Sequence, residues 1–250
     1  MIIKMFTART CHSGKLKALF ELLFSNTQDV VLTISKDGII SELSTVNNAI
    51  IYVDLPSTGF DEYIYTYDEP MYIGLGAHVN SFFKSLKNKT TVTLSINKLY
   101  TLDVTLNCDD CLITYSASFI CAQNIYPIPI TNHDVKNSYQ ITTNTFNAMC
   151  KSFSKAAPEI NVTKTQGQLS FTFALVGIAS KSITFGSLDV SDQETFFQQF
   201  KSDTFIRINK LTSFSNKTIR LCVEDNCLII IAESAMGNIK VLLNVDDKCF

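Results

Sequence analysis

Apolar residues at Leu16, Leu19, Phe20 and Leu23 fall at i, i+3, i+4 and i+7, the spacing of a helix that buries one face. The spacing returns 130 residues later at Phe146, Met149, Cys150 and Phe153. It predicts helices over 14–24, capped by Ser13, and over 145–156. A further short helix is predicted over 77–86 and a very short one over 210–214. Elsewhere the pattern shifts to runs rich in β-branched and aromatic residues, bounded by Gly, Asn and Asp, which read as strands. These cover 1–11, 30–35, 39–43, 49–55, 64–67, 71–75, 91–96, 101–106 and 111–119. They resume at 139–142, 160–164, 169–175, 180–185 and 204–208, with three more inside 218–243. The stretch 192–200 is compatible with a strand or a helical turn.

These elements occur in one order twice. Lys36-Asp37-Gly38 is matched by Thr165-Gln166-Gly167, and Asn88-Lys89-Thr90 by Asn216-Lys217-Thr218. A hairpin over 104–117, around Cys108 and Cys111, is matched by one over 219–234, around Cys222 and Cys227. Between the copies lies an apolar run, 121–139, that contains Pro127 and Pro129. Proline removes a backbone donor and fixes φ, so this run is neither a central strand nor a helix interior. It reads as an extended connector with an apolar stripe of Ile125, Tyr126, Ile128 and Ile130. A repeat this long implies two similar domains rather than a solenoid. The expected fold class is α+β: antiparallel sheet with two helices in each of two domains, 1–120 and 140–250, joined by the connector 121–139.

The chain's 250 residues, 46% hydrophobic and 18% charged, suit a globular protein with a substantial core. No apolar run approaches the roughly 20 residues of a membrane span, and the first residues, MIIKMFTAR, lack the apolar core of a signal peptide. The expectation is an intracellular protein whose eight cysteines stay reduced. Cys108, Cys111, Cys222 and Cys227 could hold a metal only if the two hairpins met. As core cysteines flanking turns they need none, and neither metal nor cofactor is expected. His12, His78 and His133 are scattered and read as solvated or capping residues. The sequence has no nucleophile elbow, phosphate-binding glycine loop or dinucleotide fingerprint. Nothing pairs its carboxylates as acid and base, so no feature points to an enzyme.

A net charge of −2 argues against a basic domain, so any nucleic-acid role rests on local placement of charge. Lysine on the predicted helices supplies such a placement. Lys15 and Lys17 lie in the first helix, and Lys84 and Lys87 mark the second. Lys151 and Lys155 are four apart on one face of the third. Arg207, Lys210 and Lys217 surround the last. Taken singly, each is a solvated helix surface. Together, on a concave surface built from related helices, they form a basic stripe suited to sequence-independent phosphate contact.

Met5-Phe6-Thr7-Ala8-Arg9, Lys36-Asp37-Gly38-Ile39 and Gly59-Phe60-Asp61-Glu62-Tyr63 follow one another at a characteristic spacing. Gly74 with the helix to Leu86-Lys87, the helix 146–153 and Met236-Gly237-Asn238-Ile239-Lys240 continue it. In this order the chain resembles the sliding clamps of the proliferating cell nuclear antigen (PCNA) family over nearly its whole length. The resemblance implies a non-catalytic, head-to-tail homotrimeric ring with double-stranded DNA, bound without sequence preference, passing through a helix-lined centre. It places the subunit interface at the edges 111–119 and 180–185, through Tyr115, Ser116, Ala117 and Ile183. It implies a partner groove formed by Leu43, Ile125, Tyr126, Ile128, Pro129, Leu242, Leu243 and Val245. A DNA polymerase and other proteins with short hydrophobic–aromatic docking peptides would use that groove, and a clamp loader would open the ring. The implied location is a site of DNA replication, the nucleus or a viral replication site. The alternative is a clamp-fold DNA-binding accessory or transcription factor that does not close a ring.

Overall fold

Four of the two-residue turns, one opening each meander, set the register of the molecule. They join Ser35 to Gly38, Lys98 to Thr101, Thr165 to Gln168 and Glu224 to Cys227. Tyr100, Gln166, Asp225 and Asn226 in these turns have φ between 49° and 63°, the left-handed conformation that matches the twist of paired strands. Each turn joins the first two strands of a three-strand meander, and each meander follows a strand and a helix. This unit occurs four times in the chain.

The computed structural model describes residues 5–45, 48–87, 90–98, 100–108, 110–121, 138–153, 158–175, 178–189, 191–192 and 194–243. The first unit is β1 (Phe6–Thr10), α1 (Ser13–Asn26), β2 (Asp29–Ile34), β3 (Gly38–Thr45) and β4 (Ala49–Pro56). After a short strand, β5 (Glu62–Tyr65), come β6 (Met71–Gly76), α2 (Asn80–Lys84), β7 (Thr91–Lys98), β8 (Thr101–Asn107) and β9 (Leu112–Ser118). Another short strand, β10 (Ile120–Cys121), ends this half. The third unit is β11 (Tyr139–Thr142), α3 (Thr143–Phe153), β12 (Glu159–Thr165), β13 (Gln168–Leu175) and β14 (Ile178–Phe185). The fourth is β15 (Phe196–Lys201), two short helices, α4 (Ser202–Ile208) and α5 (Leu211–Phe214), then β16 (Thr218–Glu224), β17 (Cys227–Ser234) and β18 (Gly237–Leu243). The fold is α+β with antiparallel pairing throughout.

Two expectations are corrected here. Residues 204–208 form a helix and not a strand: Thr204, Phe205 and Ile208 point inward at helical spacing, and Asp203 sits in the favourable first turn. The cysteine hairpins are not equivalent either. Asp225-Asn226 joins the first two strands of its meander, whereas Cys108 and Cys111 bracket the turn between the last two strands of another. The counterparts of Asp225-Asn226 are the three other turns that open a meander, so the repeating unit is half as long as the sequence landmarks suggest.

The strands make three sheets: five strands in the order β5-β1-β7-β8-β9, nine in the order β10-β6-β2-β3-β4-β18-β17-β16-β11, and four in the order β14-β13-β12-β15. The nine-stranded sheet crosses from the first half of the chain to the second through β4 and β18, which pair from Ala49↔Leu243 to Asp54↔Asn238. One face of the sheets packs on the helices. There Leu16, Leu19, Phe20, Leu22 and Leu23 of α1 and Phe146, Met149, Cys150 and Phe153 of α3 are buried. Phe20 stacks on Phe83 of α2 with ring centroids 3.6 Å apart, and Phe153 meets Phe173 and Phe205 edge-on. The segment before β15 is held by Lys164, a wholly buried lysine that pairs with Asp192 and Glu194.

Where β18 meets β4, Gly237 has φ of 137°, and a Cβ there would lie 2.2 Å from the carbonyl oxygen of Asp54 and 2.9 Å from Cα of Leu55. Backbone cannot yield as a flexible side chain would. Gly237→Ala is therefore expected to lower stability by about 1–3 kcal/mol, measured by urea unfolding.

Candidate nucleic-acid and partner surfaces

α1 is the centre of the helical layer, in contact with α2, α4 and α5, while α3 packs on α4 and α5. Its polar side chains explain that position. Lys15 Nζ donates to the carbonyls of Ser213 (3.1 Å) and Ser215 (2.5 Å) at the end of α5. Lys17 Nζ donates to Lys84 (2.7 Å) and Leu86 (3.3 Å) at the end of α2. Both lysines thus satisfy carbonyls that a helix C-terminus leaves without partners and place a cation at its negative end. Burial pushes the Lys15 ammonium below its usual pKa. Glu21 pairs with Lys210 at 2.5 Å, and the carbonyl of Ser25 accepts from Arg207, which also bonds Asp203. Ser13 is the first helical residue rather than a cap; its hydroxyl donates to the carbonyl of Lys87 at 2.8 Å.

The nine basic residues expected to face DNA therefore divide. Lys15, Lys17, Arg207 and Lys210 are tied to neighbouring elements of the helical layer. Lys84, Lys87, Lys151 and Lys217 are exposed, and Lys155 lies outside the described residues. The charge of the layer is still one-sided. Segments 13–26, 77–87, 143–153 and 202–217, which form it, carry eight Lys and Arg against two acidic residues, Glu21 and Asp203. The whole chain, by contrast, carries a net −2.

The opposite face of the nine-stranded sheet carries a second apolar cluster, Ile50, Cys222, Ile229, Ile231 and Leu242. Strand alternation assigns the expected groove residues between the two faces. Leu242 pairs with Ile50 and Ile229 and belongs to this outer cluster. Leu43 pairs with Ile51, and Leu243 with Ala49 and Leu228, so both lie on the helix-facing side. Their place in a groove beside Leu242 is corrected accordingly. Ile125, Tyr126, Ile128, Pro129 and Val245 lie outside the described residues.

Both expected interface strands are sheet edges among the described residues: there β9 pairs only with β8, and β14 only with β13. The hydrogen-bond alternation shows which residues face outward. Cys108 N–H bonds the carbonyl of Cys111, and Phe119 N–H that of Tyr100. Ile113, Tyr115 and Ala117 therefore bond to β8, leaving the backbone groups of Leu112, Thr114 and Ser116 directed at the open edge. The Thr165–Gln168 turn fixes β14 in the same way. Lys181, Ile183 and Phe185 bond to β13, while Ser180, Ser182 and Thr184 face outward. Of the four residues expected at the interface, Ser116 presents free backbone groups. Tyr115, Ala117 and Ile183 turn inward, Tyr115 stacking on Phe82 at 4.8 Å.

No group of three or more His, Cys, Asp or Glu able to hold a metal occurs among the described residues. Cys108 flanks a turn of the five-stranded sheet, and Cys222 and Cys227 lie in the nine-stranded one. Burial raises the Cys150 thiol to about 12 and that of Cys222 to about 11, which removes them as nucleophiles. The shallow cleft at Cys11, His12, Gly14, Lys15 and Ser213 gathers no acid–base pair. Among the described residues, no helix is long and apolar enough to cross a membrane.

A layer of helices backed by sheets, with a nine-stranded sheet joining two similar halves, is the architecture of the DNA clamps. The crystal structure of proliferating cellular nuclear antigen from Entamoeba histolytica has this fold: it matches 96% of this chain and 98% of that one with a TM-score of 0.79, at 15% identity. No family model matches the sequence, and no curated protein does. The chain has a PCNA-like clamp fold, with little sequence in common with that structure.

The ties made by α1 separate lysines that hold the layer from lysines that face solvent. Lys17→Met removes two hydrogen bonds and is expected to cost about 1–2 kcal/mol in urea unfolding. Lys84→Met and Lys87→Met, at exposed positions, should change stability by no more than about 0.5 kcal/mol.

Proposed function

We propose that this protein is a DNA sliding clamp, a ring that encircles duplex DNA and tethers a polymerase. The observation that carries this reading is the pair of open edges, β9 and β14, on a molecule whose helical layer has excess positive charge. An uncovered strand edge is an aggregation hazard that folded proteins cover or block. Two different edges that complete each other make a heterologous contact, and such contacts close into rings when the rotation permits. Three copies is the number that the resemblance to PCNA implies. The helical layer would line the hole, where Lys84, Lys87, Lys151 and Lys217 would meet phosphates without reading bases. The outer cluster around Leu242 and Ile231, together with the connector, would receive the docking peptides of a polymerase and other replication proteins, with a few buried anchors supplying most of the affinity. A clamp loader would place the ring on DNA. The site of action would be wherever that DNA is replicated, and the role requires no catalytic group.

Light scattering tests the assembly. The expected mass is about three times the 27.9 kDa of the chain. A monomer at micromolar concentration would leave a clamp-fold DNA-binding accessory protein that closes no ring. Affinity for duplex DNA should be independent of sequence and fall with salt. For Lys84→Glu with Lys87→Glu, the slope of log affinity against log salt should be shallower by about 0.9 for each phosphate that is no longer neutralised. An unchanged slope would remove these lysines from the DNA-facing surface.

A further inference from the structure

Cys108-x-x-Cys111 stands out in the sequence, and neither the helical layer nor the sheet edges make use of it. β8 and β9 pair as far as Asn107↔Leu112, and one residue further on the N–H of Cys108 donates to the carbonyl of Cys111 at 2.9 Å. The two cysteines therefore face each other across the last rung of the hairpin, with the turn beyond them. Alternation puts Cys108 on the face of Val104 and Leu106, and Cys111 on the face of Ile113 and Tyr115. Val104 pairs with Tyr115 and Leu106 with Ile113, so both thiols project from one face of the sheet. Cys108 is half-buried against the core, and Cys111 is exposed. The other ladder cysteines among the described residues face different residues: Cys121 pairs with Ile73, Cys222 with Ile229 and Cys227 with Glu224.

We infer that Cys108 and Cys111 form a reversible disulfide, a redox switch at the tip of the β8–β9 hairpin. The inference stands on this hairpin alone and holds whether or not the chain closes a ring. Cα atoms of a hydrogen-bonded pair lie about 5.5 Å apart, inside the range of about 4.4–6.8 Å that a disulfide spans. Their Cβ atoms are about 5.5 Å apart, against about 3.8 Å in a disulfide. Closure must therefore draw the two residues together by about 1–2 Å. The free end of a hairpin can tilt that far, and a bond made against such resistance is the more easily reduced. The pair is suited to switching rather than to permanent stapling. That agrees with the reducing compartment the sequence implies, where disulfides are transient or redox-sensing. Metal binding is a poorer use of the same thiols: a structural zinc takes four ligands, and no third ligand joins them among the described residues.

The oxidant is a low-molecular-weight disulfide of the glutathione class. Cys111, the exposed partner, reacts first. Its thiolate attacks one sulfur of the oxidised glutathione; that S–S bond breaks, a mixed disulfide forms at Cys111, and one glutathione thiolate leaves. The Cys108 thiolate then attacks the Cys111 sulfur, forming the Cys108–Cys111 bond and releasing the second glutathione. The protons given up by the two protein thiols pass through water to the two glutathione thiolates. Two protein thiols are oxidised by two electrons, and one glutathione disulfide is reduced to two thiols. A small dithiol runs the exchange backwards. The product is a covalent loop that fixes the start of β9 to the end of β8.

Mass mapping after exposure to oxidised glutathione tests the switch. The full chain is reduced, freed of reductant, treated with oxidised glutathione at neutral pH, quenched in acid and digested. The peptide that spans both cysteines is expected to lose two hydrogens and to carry no glutathione, and dithiothreitol should restore its original mass. In Cys108→Ser the second step has no nucleophile, so the same peptide should hold one glutathione at Cys111. Glutathione that stays on Cys111 in the unsubstituted protein would overturn the proposal, because it would show that Cys108 does not reach the mixed disulfide. So would a Cys111 that does not react, or a bridge from either residue to another cysteine or to a second copy, which a non-reducing gel separates. Should Cys108→Ser fold poorly, the digest of the unsubstituted protein decides the question alone. None of these outcomes bears on the mass of the assembly, so the clamp reading stands or falls separately.

Discussion

The pairing of β4 with β18 is the constraint on which the rest of the molecule depends. It brings a strand near residue 50 against one near residue 240 in a ladder running from Ala49↔Leu243 to Asp54↔Asn238. With the first and last units joined there, the second and third end in β9 and β14, each with a single partner strand among the described residues. Register follows the side-chain alternation on both strands: Ile51, Val53, Ile239 and Val241 enter the core, and Ile50 and Leu242 face outward. A slip by one residue would exchange the two sets, and that penalty specifies the joint. Gly237 allows the strands to approach at its end, where any side chain would strike the backbone of Asp54.

The charges of the helical layer divide between those tied to neighbouring elements and those exposed at its surface. Burial of Leu16, Leu19, Phe20, Leu22 and Leu23 secures α1, each side chain contributing about 1.5–3 kcal/mol. A hydrogen bond contributes only about 0.5–1.5 kcal/mol. The ties from Lys15 and Lys17 therefore hold α1 less strongly than its apolar face does; they fix its orientation and satisfy the carbonyls at the ends of α5 and α2. Lysines committed in this way still contribute to the field of the layer, since their charge remains. In the proposed clamp, close approach to phosphates would fall instead to exposed lysines such as Lys84, Lys87 and Lys217.

Much of this is legible in the sequence where one period dominates. The i, i+3, i+4 spacing locates α1 and α3, and β-branched runs bounded by turn residues locate most strands. Residues 204–208 read as a strand because Thr204, Phe205, Ile206 and Ile208 have strand-like composition, and their helical character comes from packing Phe205 against Phe153 and Phe171. The repeat is visible in the sequence only at twice its true length. Lys36-Asp37, Gln166-Gly167 and Asp225-Asn226 share a place between the first two strands of a meander but no residue pattern, so pairing alone reveals the equivalence of all four turns. Leu43 and Leu243 fall in the expected groove through proximity to Leu242, in space or in sequence, although alternation turns them to the other face. The edge strands are legible, but which of their residues carry free donors depends on hydrogen-bond parity, which composition does not encode.

Backbone amide exchange across a range of protein concentrations tests the account most directly. Among the described residues, the amides of Thr114, Ser116, Ser182 and Thr184 point away from their own sheets, whereas those of Tyr115 and Ile183 bond to β8 and β13. If copies join β9 to β14, the first four amides should gain protection together as concentration rises, while Tyr115 and Ile183 stay protected throughout. Exchange of Thr114, Ser116, Ser182 and Thr184 at the rate of open solvent-facing amides at every concentration would contradict the joining of these edges and the ring built from it.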